Sequence, residues 1–280
     1  LGASESALRL LSVICSSISI WLTWAVCRHL SGGERAAWIA ALLCAVSVFA
    51  IQYAQEARMY ALLGCLALAS MLSFVRLCYT LHPPGSNEQA GPTLATQLAY
   101  LLTTALLMYS HVYGLFIVMA QNVIVLLRYL PRWPRRPTLT LRHWILLQGV
   151  LAVVFLPWVY VLANQVARVQ TSFWIDRPEL SDLLQTFTEY MGVLPALQLG
   201  AVAALFGLFV LLRPTAQLPA QSVAANGTSS DNTTLLPLDT ALILIAWLLI
   251  PIGLPFVLSL LVQPIFMPRY TIASSPAWFM

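Results

Sequence analysis

The stretch ATQLAYLLTTALLMYSHVYGLFIVMAQNVIVLLRYLPRWPRR, Ala95 to Arg136, decides how the chain is read. It holds two apolar runs, about 95–110 and 112–130, separated only by SHVYG, Ser110 to Gly114. Either the two runs form one long helix, or SHVYG is a turn at which the chain reverses. The choice moves every later loop from one side of the helices to the other.

Working outward from this stretch, the same kind of run recurs. A helix needs about 20 apolar residues to cross ~30 Å of hydrocarbon. Runs near this length lie at about 8–27, 36–54, 59–77, 144–163, 193–212 and 238–262, and a further one begins near Tyr270. No sustained two-residue alternation is present, which argues against a β-barrel. All 14 basic residues are arginine. Counting each junction as a change of side puts Arg28, Arg35, Arg76, Arg128, Arg132, Arg135, Arg136, Arg142 and Arg213 together, and Arg9, Arg58, Arg168, Arg177 and Arg269 opposite them. The richer side is cytoplasmic by the positive-inside rule. Merging the runs across SHVYG would send the dense cluster after Arg128 outside, so the turn is favoured. The expectation is an all-α, polytopic bundle of eight spans plus part of a ninth, one domain over residues 1–280.

Composition agrees. Of 280 residues, 60% are hydrophobic and 9% charged, with mean hydropathy +0.81. A soluble domain carries roughly 25% charged residues, so an ordinary globular surface is excluded. Disorder is excluded by the aromatic content, and nucleic-acid binding by the lack of a dense basic face. The five cysteines, Cys15, Cys27, Cys44, Cys65 and Cys78, lie in or beside apolar runs without metal-ligand spacing, and read as small packing residues. The segment Arg213 to Asp239 is polar and low in complexity, and is expected to be a flexible cytoplasmic loop. Its patterns Asn226-Gly-Thr and Asn232-Thr-Thr would escape glycosylation there. The chain starts without a basic leader and ends inside an apolar run, and is read as an internal piece of a longer membrane protein.

Polar chemistry gathers on the other, outer side. It collects Glu5 and Arg9, then QEARMY (Gln55 to Tyr60), then Ser110, His111 and Tyr113, then a loop over 165–192 with Asp176, Arg177, Glu179, Asp182 and Glu189, and last Arg269 and Tyr270. Helix middles carry amides (Gln97, Gln121, Asn122, Gln148, Gln198) and almost no charge. Ion-coupled transporters keep charge near the midplane, so chemistry at the membrane surface is favoured. Arg58 either clamps a phosphate, to which its planar charge is suited, or snorkels and pairs with Glu56. His111, Tyr113, Arg269 and Tyr270 read either as interfacial anchors or as contacts to a phosphate and a sugar. Leu180, Leu183, Leu184 and Phe187 make an amphipathic helix fit to lie in the interface. Ser181 and Asp182 read as its caps.

Taken in order, LGASESALRLLSV, QYAQEARMYAL, MYSHVYGLF, SFWIDRP and PRYTIASSPA resemble the GT-C superfamily of integral-membrane glycosyltransferases, in the bacterial branch related to protein O-mannosyltransferases and aminoarabinose transferases. The resemblance implies an inverting transfer of a sugar from a polyprenyl-phosphate donor to an acceptor (protein, lipid or polysaccharide) at the outer face of a bacterial plasma membrane. No cofactor is expected, and no metal, since Asp176, Glu179 and Asp182 are spaced too loosely for a ligand cluster. Arg58 and Tyr60 match the family's Arg-x-Tyr motif, His111 and Tyr113 its His-x-Tyr-Gly motif, Arg269 and Tyr270 its late Arg-Tyr motif, and Glu5 and Arg9 its Glu and Arg before the second helix. Glu56 flanks the phosphate contacts. The catalytic carboxylate is expected upstream of Leu1, with Glu5 only a flanking candidate, so the piece alone is expected to be inactive. The competing readings are a multi-pass transporter or flippase for a lipid-linked solute, and a structural subunit of a membrane complex.

Overall fold

The computed structural model describes residues 5–79, 91–129, 139–169, 176–192 and 237–280, with isolated positions 200, 204, 207 and 235 between them. Every regular element among the described residues is helical. In chain order these are α1 (Glu5–Ser31), α2 (Glu34–Ala45), α3 (Val48–Ala54), α4 (Tyr60–Cys78), α5 (Leu94–Ser110), α6 (Gly114–Arg128), α7 (Leu141–Val169), α8 (Leu180–Met191) and α9 (Pro237–Leu261). A 3₁₀ helix (Pro268–Ala273) and α10 (Ser275–Phe279) follow.

Four of these, α1, α4, α7 and α9, are long and apolar enough to cross a membrane; α2 and α3, bent by 57° at their break, pass the same test only when taken together, as a broken span or a re-entrant loop. Ser47 causes the break: its hydroxyl accepts the Ala50 amide and caps α3, so the chain restarts rather than continues. The two runs beside SHVYG are separate helices of 17 and 15 residues, about 25 and 22 Å long at 1.5 Å per residue. They fold back on each other, because Tyr100 of α5 donates to Gln121 of α6 at 3.0 Å. A single straight helix would hold those residues about 31 Å apart. The part of the expected ninth span that the sequence contains, from Tyr270 on, forms the end of the 3₁₀ helix and the short α10. The expected span at 193–212 and both Asn patterns lie outside the described residues.

α4 is the bundle's axis. Leu63, Leu68, Met71, Phe74 and Leu77 are fully enclosed, and it packs on α1, α5, α6 and the 3₁₀ helix. α7, by contrast, keeps most of its surface outward. Pro157 in α7 and Pro251 and Pro255 in α9 sit inside continuous helices, as apolar surroundings tolerate when neighbours re-satisfy the freed carbonyls. Near the end of α9, Ser259 donates to the Pro255 carbonyl one turn back at 2.7 Å while accepting the amides of Ile265 and Phe266. It thereby turns the chain back toward the bundle before residue 268. The five cysteines are buried and unbridged.

The two ends differ. At one, Arg28, Arg35, Arg76, Arg128 and Arg142 belong to helix termini; at the other lie Arg9, Arg58, Arg177 and Arg269. This is the separation expected from counting junctions. One expectation is corrected at the first end. Asp239, read as the last residue of a flexible loop, is in the first turn of α9, where a negative charge suits the helix dipole. It is 1% exposed, and its carboxylate sits 2.8 Å from Arg128 of α6, itself 1% exposed. The Arg128 guanidinium also lies 4.3 Å from the Tyr79 ring.

Gly114 sets the turn at the other end. A Cβ there would sit 2.7 Å from the Leu107 carbonyl oxygen, a backbone atom that cannot swing away. Gly114→Ala is expected to cost about 1–3 kcal/mol, the range for overpacking. Gly149, on an open face of α7 with nothing near its missing Cβ, is the control: Gly149→Ala gains helix propensity. Thermal unfolding in detergent checks both, the first variant melting lower than wild type and the second no lower.

Candidate functional site

At the Gly114 end, four elements deliver aromatic side chains to one place. α3 brings Phe49 and Tyr53, α4 brings Tyr60, the α5–α6 turn brings His111 and Tyr113, and the 3₁₀ helix brings Tyr270. Ring centroids are 5.2 Å apart for Tyr53–Tyr60, 6.0 Å for Tyr60–Tyr270, 4.8 Å for His111–Tyr270 and 5.2 Å for Tyr113–Tyr270. Tyr53, Tyr60 and Tyr113 are buried, whereas His111, Arg269 and Tyr270 are partly open. We call this cluster of buried tyrosines, with the partly open His111, Arg269 and Tyr270 at its edge, the bowl.

Each group at the edge has a definable state. His111 Nδ1 accepts the Tyr113 amide at 3.1 Å, so in the neutral ring the proton sits on Nε2, leaving a donor. Burial pushes its pKa down to about 4, so the ring is neutral at pH 7. Arg269 lies 5.5 Å from the Tyr270 ring and touches Met267 Sδ at 3.1 Å. Glu56, partly buried just before Tyr60, has an enclosed Oε2 with no hydrogen-bond partner among the described residues. Glu189 of α8 accepts from Gln185 at 2.9 Å, and burial raises its pKa. The Tyr113 hydroxyl is within 3.4 Å of the Ile265 carbonyl, which gives it a structural partner.

Of the sequence candidates, Tyr60, His111, Tyr113, Arg269 and Tyr270 converge. Arg58 lies on the exposed turn before Tyr60, and no ion pair joins it to Glu56 among the described residues. That turn is held by Ser12 of α1, whose hydroxyl donates to the Glu56 carbonyl at 2.6 Å. Arg9 is exposed on the first turns of α1, and the Glu5 side chain lies outside the described residues. Asp182 caps α8 as expected, accepting the Glu179 amide at 2.8 Å; the N-cap residue is Glu179 rather than Ser181. α8 turns Leu183, Phe187 and Tyr190 inward and leaves Leu180 and Leu184 exposed. Tyr53, Tyr190 and Glu189 were not singled out as site residues in the sequence. Their partners are distant in the chain, and only the α8 periodicity hints at an inward face.

Beside the bowl lies a cleft of about 190 Å³ between α1, the bent α2–α3 pair, α4 and the chain after the 3₁₀ helix. Ser17, Ile51, Ala61, Gly64, Ile272 and Ser275 are among its lining residues. Val13 and Ile51, 47% and 43% exposed, stand at its mouth. Ala61 follows Tyr60 and Ile272 follows Tyr270 by two, so bowl and cleft share two elements. Among the described residues, no three of His, Cys, Asp or Glu come together as a metal site. Comparison with protein-family models, with curated proteins and with solved structures finds no match for the chain.

Proposed function

We propose that the chain is the membrane body of a GT-C-type glycosyltransferase, and that the bowl receives the phosphate and sugar of a polyprenyl-phosphate donor. One observation carries the reading: a tyrosine cluster edged by an arginine and a neutral histidine adjoins a cleft lined largely by apolar side chains. A polyprenyl-phosphate sugar has the same two parts, an apolar chain joined to an anionic head with a polar ring.

In this reading the acceptor oxygen attacks the anomeric carbon and the bond from that carbon to the phosphate oxygen breaks, with inversion. The acceptor proton passes to a carboxylate, and the electron pair leaves on the phosphate. Arg269 offsets the charge that develops on that leaving group, the term that preorganised cations supply best. Arg58, two residues before Tyr60, is a second cation on the approach. His111 Nε2–H is a neutral donor for a phosphate or sugar oxygen, and the tyrosine cluster offers rings for the sugar to stack on. The arginine-rich Arg128 end is then cytoplasmic, and eight spans cross the membrane with the bowl on the outer side.

The test compares two ligands that differ only at the head. Native mass spectrometry of the protein in nanodiscs is expected to retain polyprenyl monophosphate and to lose the corresponding polyprenol. Equal retention of both would remove the phosphate site, and retention of neither would remove the lipid-donor reading.

A further inference from the structure

Tyr190 sits at the inner end of α8, 2% exposed, and is not a wall of the bowl. Its hydroxyl lies 2.8 Å from the Thr271 carbonyl, 2.6 Å from the Thr271 hydroxyl and 3.2 Å from the Ser274 hydroxyl. Those two residues are also joined to each other and to the start of the same helix. Ser274 donates to the Thr271 carbonyl at 2.8 Å, and Thr271 donates to the Pro268 carbonyl at 2.6 Å. The phenol therefore closes a four-group polar knot around the 3₁₀ helix that carries Arg269 and Tyr270. The Tyr190 ring is fixed from the other side by Phe49 at 5.1 Å and by Phe187 at 6.2 Å.

A 3₁₀ helix has poorer hydrogen-bond geometry than an α-helix and rarely holds its shape unaided beyond a few residues. Among the described residues, side chains of two other helices hydrogen-bond to this segment. Trp247 of α9 donates to the Ala273 carbonyl at 2.9 Å, and Tyr190 holds Thr271 and Ser274. Trp247 grips the far end; Tyr190 grips the residue directly after Tyr270. Arg269 precedes that point by two residues, so its direction depends on the knot.

We infer that Tyr190 is a positioning residue: through Thr271 it sets the aim of Arg269 toward the anionic head that the bowl receives, an inference that rests on the function proposed above. It acts through the backbone and touches no reacting atom. α8 is thereby the element whose docking on the bundle arms the site.

The substitution Tyr190→Phe keeps the ring and its contacts with Phe49 and Phe187 and removes only the knot. Two readouts separate the parts of the inference. Hydrogen exchange of the protein without ligand is expected to quicken at amides 269–274 and to stay unchanged in α4. Unchanged exchange at 269–274 would overturn the positioning role whatever the protein binds. Affinity for polyprenyl monophosphate is expected to fall by about fivefold, the scale of one neutral hydrogen bond, and the same substitution made in an Arg269→Ala background is expected to cost nothing more. An equal further loss in that background would also overturn the role, since Tyr190 would then act elsewhere than through Arg269. Faster exchange in a protein that binds no polyprenyl monophosphate would uphold the mechanical link and sink the donor reading instead.

Discussion

Arg269→Ala is expected to weaken polyprenyl monophosphate binding by about ten- to a hundredfold, the loss that follows removal of a charge-assisted contact. The guanidinium is partly enclosed between Tyr270 and Met267, so its charge is less screened than a free surface arginine's. Arg269→Lys is expected to recover part of the loss. It restores the charge but not the planar fork that meets two phosphate oxygens at once. Arg28→Ala is the contrast. Arg28 pairs with Glu34 at 2.6 Å at the opposite end, but both side chains are half exposed, and such pairs contribute little. Titration of each purified variant with polyprenyl monophosphate checks the series. Wild-type affinity in Arg269→Ala would take Arg269 out of the site.

The largest effect on folding is expected at Asp239→Ala. Arg128 and Asp239 are each 1% exposed and 2.8 Å apart. Removing one partner strands the other charge in an apolar interior, at a cost of about 3–5 kcal/mol. The pair joins the end of α6 to the start of α9, and Thr240, the next residue, donates to the Leu30 carbonyl of α1 at 2.9 Å. Loss of Asp239 should therefore loosen three helices together. Size-exclusion profiles after heating are expected to show Asp239→Ala aggregating well below the wild-type temperature. The paired substitution of Arg128→Met with Asp239→Leu is expected to restore much of the difference, because no buried charge remains. A double variant as unstable as the single one would mean that the Arg128 contact with Tyr79, not the ion pair, holds this end together.

The helices were legible because lipid-compatible runs of 15 to 29 residues have few alternatives, and the SHVYG turn was legible because charge placement favoured it over one long helix. Tyr60, His111, Tyr113, Arg269 and Tyr270 were legible as candidates since polar and aromatic groups stand out at the tips of apolar runs. Which of them meet was not. Arg58 and Tyr60 are two residues apart, yet one is exposed and the other buried. The helix start at Tyr60 turns successive side chains about 100° apart, and sequence alone does not say which one faces the bundle. Asp239 was misread for a related reason. It stands where the polar loop meets the apolar run 238–262, while its partner Arg128 is 111 residues away, and no periodicity links positions so far apart. The bend at Ser47 escaped notice because a capping serine within an apolar run looks the same as a packed one.

The amides inside the bundle carry one more consequence. Tyr100 donates to Gln121, Gln121 to Ser70, Gln148 to Tyr100, Asn122 to Gln148, and Trp144 to Asn122, all between 2.9 and 3.1 Å. Lipid tails are as apolar as leucine, so burial of apolar surface gives helices no reason to choose one neighbour or one register over another. Gln148 and Trp144 both come from α7, whose exposed residues are mostly apolar. The amide chain thus works as an address label. Its two α7 members, Trp144 and Gln148, help fix the rotation and height of that helix against α5 and α6.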